Sequence, residues 1–193
     1  MHQMKKRIDD LKQLCIHDKI PIITDEALSF IKNYIEVHQV KKILEIGSAY
    51  GYSSISFSLT GAFVTTIERD LNRYSIAKTW IHELDNNIKI IHADALTYDL
   101  SNEKFDMVFI DGAKSQYTKF FEKYMNNLND DGVIICDNID FHGMKVTDTK
   151  NRNTKALIRK LELFRSFLFN HDAYETTYYP IGDGLTVTRK IKI

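Results

Sequence analysis

From Lys41 to Cys136, short runs rich in β-branched and aromatic residues alternate with longer stretches whose apolar residues recur at helical spacing. Successive strand–helix–strand units of a parallel sheet read this way: a strand buried on both faces is apolar at nearly every position, while a covering helix is apolar on one side only. The pattern predicts strands over 42–46, 63–68, 88–92, 105–110 and 133–136, with helices near 52–59, 71–84 and 117–128. In the last helix Tyr117, Phe120, Phe121, Tyr124 and Leu128 share one face, which should pack on the sheet.

Two helices are expected before the sheet, one around 8–15 and one opened by Thr24 as N-cap, with Asp25 and Glu26 favourably placed in its first turn. After it, Leu157, Leu161, Phe164 and Leu168 mark an amphipathic helix, and two β-like runs, 174–179 and 185–188, flank the turn signal Pro180-Ile181-Gly182-Asp183-Gly184. These runs should form an antiparallel pair. The expectation is one α/β domain over 1–193, with 1–38 as a helical flank and 41–193 as the core.

Length agrees, since 193 residues bury one sizeable core but not two ordinary ones. With 44% hydrophobic and 27% charged residues the chain has a globular balance, unlike disordered or membrane chains. Its 26 basic and 26 acidic residues cancel, so any nucleic-acid site must be local. No apolar run approaches a membrane span, and the basic start Met1–Arg7 leads into mixed residues, not a signal-peptide core. A cytoplasmic protein without a membrane partner is expected. Cys15 and Cys136 lie in separate hydrophobic contexts and read as buried free thiols.

The strand 42–46 runs into Gly47-Ser48-Ala49-Tyr50-Gly51 and then a helix. Glycine permits a tight turn and close ligand approach, and the helix start offers unpaired N–H groups. An ordinary strand-to-helix turn would look the same, and Ala49 at the second position of a dinucleotide fingerprint argues against a nicotinamide cofactor. Glu68 ends the next strand, where an acid can accept both hydroxyls of a ribose, and Asp94 follows the strand after that. Either acid alone could be a cap; together, beside the glycine turn, they favour a nucleoside-shaped ligand.

Two further strands end in acids, at Asp111 and at Asp137-Asn138. If those strands are neighbours, two carboxylates and an amide oxygen converge as a hard, all-oxygen set suited to magnesium, calcium or manganese and not to zinc. Capping is the other reading, but no helical pattern follows Asp137. Lys114, at the expected start of a helix, stands where the macrodipole disfavours a cation. It is either a solvated lysine or a group poised to take a proton from a substrate hydroxyl or to hold its anion.

Glu45-x-Gly47-x-x-x-Gly51 resembles the first motif of the class I S-adenosylmethionine methyltransferases. That resemblance implies a Rossmann-like, mostly parallel seven-stranded sheet ending in an antiparallel hairpin, with helices on both faces. It also implies that Gly47 and Ser53 border the amino-acid end of S-adenosylmethionine, Glu68 the ribose, and Asp94 with Ala95 the adenine. Asp111-x-x-Lys114 with Asp137-Asn138 resembles the cation-dependent O-methyltransferases of catechol and caffeoyl-coenzyme A type, a likeness covering nearly the whole chain from Pro21 on. The resemblance implies a divalent cation, Mg2+, on Asp111, Asp137 and Asn138, with Asp111 also at the cofactor and Lys114 at the reacting oxygen. It places Ile23 over the cofactor and makes a homodimer the expected assembly.

Phe141-His142-Gly143, the segment from Arg152 to Lys160, and Tyr179-Pro180-Ile181-Gly182-Asp183-Gly184-Leu185 are similar to the bacterial tRNA 5-hydroxyuridine methyltransferases. That branch implies tRNA as partner, with methylation of the wobble base. Charge points the same way, since Lys145, Lys150, Arg152, Lys155, Arg159 and Lys160 follow the metal ligands directly and could meet phosphates. A solvated helix face explains them equally well. A small catechol-like acceptor is the competing substrate, and a non-catalytic RNA-binding module the competing class; the complete set Asp111, Lys114, Asp137 and Asn138 argues against the latter.

Overall fold

Thr24 opens its helix as the sequence predicts: its Oγ1 accepts from the backbone N–H of Ala27 at 3.2 Å, satisfying one of the unpaired donors of the first turn. A computed structural model describes residues 2–84 and 87–191. Along the chain run α1 (His2–His17), α2 (Asp25–Val37), β1 (Lys42–Ile46), α3 (Tyr52–Ser58), β2 (Phe63–Glu68), α4 (Leu71–Leu84), β3 (Ile88–His92), β4 (Phe105–Ile110), α5 (Tyr117–Tyr124), β5 (Leu128–Cys136), α6 (Arg152–Phe169), β6 (Tyr174–Tyr179) and β7 (Leu185–Lys190). No helix among the described residues is long and apolar enough to cross a membrane.

The strands form one seven-stranded sheet in the order β3-β2-β1-β4-β5-β7-β6, parallel from β3 to β5 and antiparallel through β7 and β6. Alternate residues of the central strands serve two core layers. Ile43, Met107, Phe109, Val133 and Ile135 face α1 to α4, while Leu44, Ile46, Val108, Ile110, Ile134 and Cys136 face α5 and α6. Helices therefore cover both faces, as expected. The first helices are part of the core: Leu11, Cys15, Ile31 and Ile35 are buried in the layer that also holds the Phe57–Phe109 edge-to-face pair at 5.2 Å.

Several boundaries move. Helix α1 covers His2–His17, well beyond 8–15, with Leu11 and Cys15 as its buried anchors. Helix α5 ends at Tyr124, and Leu128 starts a strand instead of closing the helix. Leu128 pairs with Phe105 and the ladder resumes only at Val133 with Met107, so polar Asn129-Asp130-Asp131 forms an exposed irregularity that hid the first half of β5 from a hydrophobic reading. In α6 Ile158 is buried and Leu157 only half-buried. Strand β7 continues to Lys190, where Arg189 forms an ion pair with Glu175 across the hairpin at 2.6 Å.

The hairpin turn is docked onto the loop after β5. Ile139 N–H donates to Gly184 O at 3.1 Å and Asp140 N–H to Asp183 O at 2.9 Å. Asp140 also accepts from Arg165 of α6 at 2.5 Å and from the Tyr178 hydroxyl. Gly184 has φ +84°, and a Cβ there would lie 2.6 Å from Asp140 Oδ2. Gly184→Ala is therefore expected to cost about 2 kcal/mol from left-handed strain and displacement of Asp140. Urea denaturation checks it, and a change below about 0.5 kcal/mol, the size of an ordinary surface substitution, would mean that the turn is not held as described.

Candidate active site

The parallel ladder sets the ends of four strands in one row. Ile46 pairs with Ile67 on one side and with Ile110 on the other, and Ile110 with Cys136. Gly47, Asp111 and Asp137 extend that row: Gly47 N–H donates to Ile67 O at 2.9 Å, Asp111 N–H to Ile46 O at 3.1 Å and Asp137 N–H to Ile110 O at 3.2 Å. Between β1 and β4 the strand order reverses, the place where open α/β sheets bind ligands.

A cleft of about 640 Å³ opens there, and Ile23, Gly47, Ser53, Glu68, Asp94, Ala95 and Asp111 all line it, as does Lys114. All the cofactor candidates thus converge. Gly47 has φ +96°, and a Cβ on it would lie 2.7 Å from the carbonyl oxygen of Asp111, so only glycine lets the two loops approach this closely. Glu68 is buried, taking the N–H of Ala49 at 2.9 Å and that of Asp70 at 2.8 Å, which fixes the turn and aims the carboxylate at the cleft edge. Ser48 Oγ is buried on the cleft wall without a partner among the described residues, a polar group for a bound ligand to satisfy. Asp94 Oδ1 accepts from Leu96 N–H at 2.8 Å, so the acid caps a turn and faces the cleft at once.

Sequence reasoning missed two supports. Glu45 is fully buried and accepts from Ser53 Oγ at 2.5 Å, from Thr66 Oγ1 at 2.6 Å and from the Ser54 hydroxyl, locking the glycine turn to α3 and β2. Burial pushes its carboxyl above the usual range against the pull of these hydroxyls. An acid inside an apolar strand, followed by a Ser-Ser pair, was the available signal. Tyr50, on the cleft, donates to Asp18 at 3.0 Å and ties the end of α1 to the same turn, a pairing that nothing in the sequence announces.

At the other side of Asp111 lies the oxygen-donor set. Asn138 Nδ2 donates to Asp111 Oδ1 at 3.2 Å, and Asn138 N–H donates to Asp137 Oδ1 at 2.7 Å. Asn138 adopts φ +60°, a left-handed conformation that asparagine tolerates better than most residues. The Tyr117 hydroxyl donates to the backbone carbonyl of Asp137 at 3.0 Å from the start of α5, holding the loop from beneath. Burial raises both carboxyls, repulsion from Asp137 raises Asp111 further, and the Lys114 ammonium offsets part of this. No group of three His, Cys, Asp or Glu side chains suited to a metal occurs among the described residues, because the third donor here is an amide. Two crowded acids and an amide oxygen fit a hard divalent cation, whose charge would relieve their repulsion.

Lys114 sits in a 3-10 turn, Lys114–Gln116, instead of in the helix proper. Helix α6 packs against that turn. Asn151 caps α6 by accepting from Asn153 and Thr154 N–H at 2.9 and 3.1 Å, which places Arg152, Lys155, Arg159 and Lys160 in its first turns. Lys155 is half-buried; Lys145, Lys150, Arg152, Arg159 and Lys160 are exposed. None of the six lines the cleft itself.

The profile of the O-methyltransferase family matches residues 2–191. A Staphylococcus aureus protein, solved as a candidate caffeoyl-CoA O-methyltransferase, is 34% identical and superposes with a TM-score of 0.90 over 95% of this chain and 91% of its own. A caffeoyl-CoA O-methyltransferase of Populus kitakamiensis is 28% identical over 176 residues, covering 84% of this chain and 75% of the relative. The fold is shared with the SAH-bound methyltransferase PaMTH1 of Podospora anserina, which is 20% identical with a TM-score of 0.82 over 98% of this chain and 88% of that one. The chain belongs to the O-methyltransferase family.

Raised carboxyls make stability depend on pH. Between the ordinary value of 3.8 and about 8, where Asp111 titrates, the folded protein holds protons that the unfolded chain has released. Without a divalent cation, Tm should therefore fall as pH rises through that window, and Asp111→Asn should flatten the decline and raise Tm at its upper end. Differential scanning calorimetry of both proteins at a series of pH values, with the metal chelated, isolates this contribution from that of aspartates held below the usual range; a wild-type profile parallel to that of Asp111→Asn would contradict the crowding of the two acids.

Proposed function

We propose that the protein is an O-methyltransferase that moves the methyl group of S-adenosylmethionine to the hydroxyl of 5-hydroxyuridine in tRNA, with a divalent cation, Mg2+, held by Asp111, Asp137 and Asn138. The position of Asp111 carries this reading: its residue lines the cleft while its carboxylate meets Asn138 on the other side, so a nucleoside-shaped donor and an oxygen-liganded cation would share one border. Family membership supports O-methylation as the chemistry.

The residues divide the work. Glu68 would accept the ribose hydroxyls, Asp94 and Ala95 would border the adenine, Ile23 would close over the ligand, and Gly47, Ser48 and Ser53 would take its amino-acid end. A cation at the donor set supplies Lewis acidity that lowers the pKa of an acceptor hydroxyl. Lys114, beside both carboxylates, would take the departing proton or hold the oxygen as its anion. That oxygen then displaces the thioether from the sulfonium methyl in line: a C–O bond forms, the C–S bond breaks, and the electron pair stays on sulfur.

The tRNA assignment rests on charge and placement. Helix α6, which opens with basic residues, packs against the turn bearing Lys114, so phosphates bound along it would bring a base toward the reacting oxygen. A 5-hydroxyuridine offers its hydroxyl and the neighbouring carbonyl as adjacent oxygens, as a catechol does. A small catechol-like molecule is the competing acceptor.

Incubation with S-adenosylmethionine, Mg2+ and tRNA carrying 5-hydroxyuridine should yield 5-methoxyuridine by mass spectrometry of the digested RNA. Chelator or Asp137→Ala should abolish product, and Lys114→Ala should lower kcat by about 10²-fold. Replacing Arg159 and Lys160 by Glu should raise KM for tRNA and weaken its salt dependence, with kcat little changed. Methylated catechol with untouched tRNA would overturn the RNA acceptor and leave the chemistry standing.

A further inference from the structure

The connection from β3 to β4, residues 93–104, contains no regular helix or strand, yet it carries three residues of the cleft, Ala93, Asp94 and Ala95. Its own backbone bonds are few: Thr97 and Tyr98 N–H both donate to Asp94 O, and Glu103 N–H donates to Leu100 O. Several of its carbonyls turn toward the end of α5 and the turn that follows it. Lys123 Nζ donates to Ala95 O at 2.8 Å, to Leu96 O at 3.0 Å and to Tyr98 O at 2.6 Å, using all three ammonium protons on one turn. The Tyr124 hydroxyl adds a second bond to Ala95 O at 2.5 Å, and Asn127 Nδ2 donates to Leu100 O at 2.6 Å and Glu103 O at 2.9 Å.

We infer that Lys123, with Tyr124, is the positioning residue of the adenine end of the cofactor site: it holds the 94–98 turn in the conformation that presents Asp94 and Ala95 to the base. Lys123 itself does not line the cleft. Its action is through the backbone, by charge-assisted bonds that take about twice the strength of neutral ones. The ammonium is drawn in against its own hydration, since burial lowers its pKa. Lys123 is half-buried, and its ammonium donates all three protons to carbonyls of an otherwise irregular loop, which ties the shape of that loop to this one side chain. Asp94 Oδ1 is held by Leu96 N–H at 2.8 Å and Oδ2 lies 3.6 Å from Arg69, so the turn fixes where this carboxylate, an acceptor only, would meet an exocyclic amine on the ligand.

This inference rests on the cofactor reading above, and the test separates the two. Isothermal titration calorimetry would measure S-adenosylhomocysteine and S-inosylhomocysteine, in which a carbonyl oxygen replaces the exocyclic amine of the adenine. The wild-type protein should prefer S-adenosylhomocysteine; if it binds neither, the cofactor reading fails and not the role of Lys123. In Lys123→Met, which keeps the stem of the side chain, the Kd for S-adenosylhomocysteine should rise about tenfold, the loss expected of one charged hydrogen-bond network. The Kd for S-inosylhomocysteine should change less than about threefold, so that discrimination between the bases disappears. Tyr124→Phe, a gentler change, should move the same ratio in the same direction. Equal weakening of both ligands would show a general loss of folded protein, and unchanged affinities would show an idle strut; either overturns the proposal.

Discussion

Everything chemical in this molecule depends on the register of its parallel ladder. Ile46, Ile67, Ile110 and Cys136 are aligned across adjacent strands, so the residues that follow them must emerge side by side on one edge of the sheet. Those residues include a glycine, which lets the β1 and β4 loops touch, and two aspartates. A shift of one residue in either ladder would exchange the side chains of a whole strand between the two core layers, so the hydrophobic burial that stabilises the sheet also fixes the positions of Asp111 and Asp137.

That arrangement is electrostatically unfavourable by itself. Asp137 is buried and Asp111 half-buried beside it, both are pushed toward protonation, and Glu45 lies buried one strand residue before the same turn. The fold answers with bracing. Tyr117 holds the Asp137 carbonyl, the hairpin turn bonds Ile139 and Asp140, and Arg165 anchors Asp140 to α6. Such a strained edge persists because the surrounding packing determines it, and it is the part of the fold where a cation or ligand gives most relief.

The two halves of the site are held by different means. The donor half rests on the glycine turn, Glu68 and the connection gripped by α5; the acceptor half rests on the loop after β5 and on the start of α6. Helix α5 touches both, through Tyr117 at one end and Lys123 with Tyr124 at the other. On the proposed reading, acceptor choice would lie with surface residues around α6, which could change without disturbing the donor half, in keeping with one fold hosting many functions.

The alternation of apolar runs with amphipathic stretches determined most strand and helix positions and the terminal hairpin, because burial on two faces or on one leaves a period in the sequence, while the helices on both faces followed from the family resemblance. The acids at strand ends were legible for the same reason: once neighbouring parallel strands are assumed, Glu68, Asp94, Asp111 and Asp137 must share an edge. The polar first half of β5 was not, since Asn129-Asp130-Asp131 has no strand pattern and pairs only through an irregular ladder. Nor were the supports. Lys123 reads as one more charged residue on a helix, and Tyr117 as a core aromatic; what they bind are backbone carbonyls of distant segments, which are identical in every residue and carry no side-chain signature. Only the tertiary structure decides which carbonyl meets which donor.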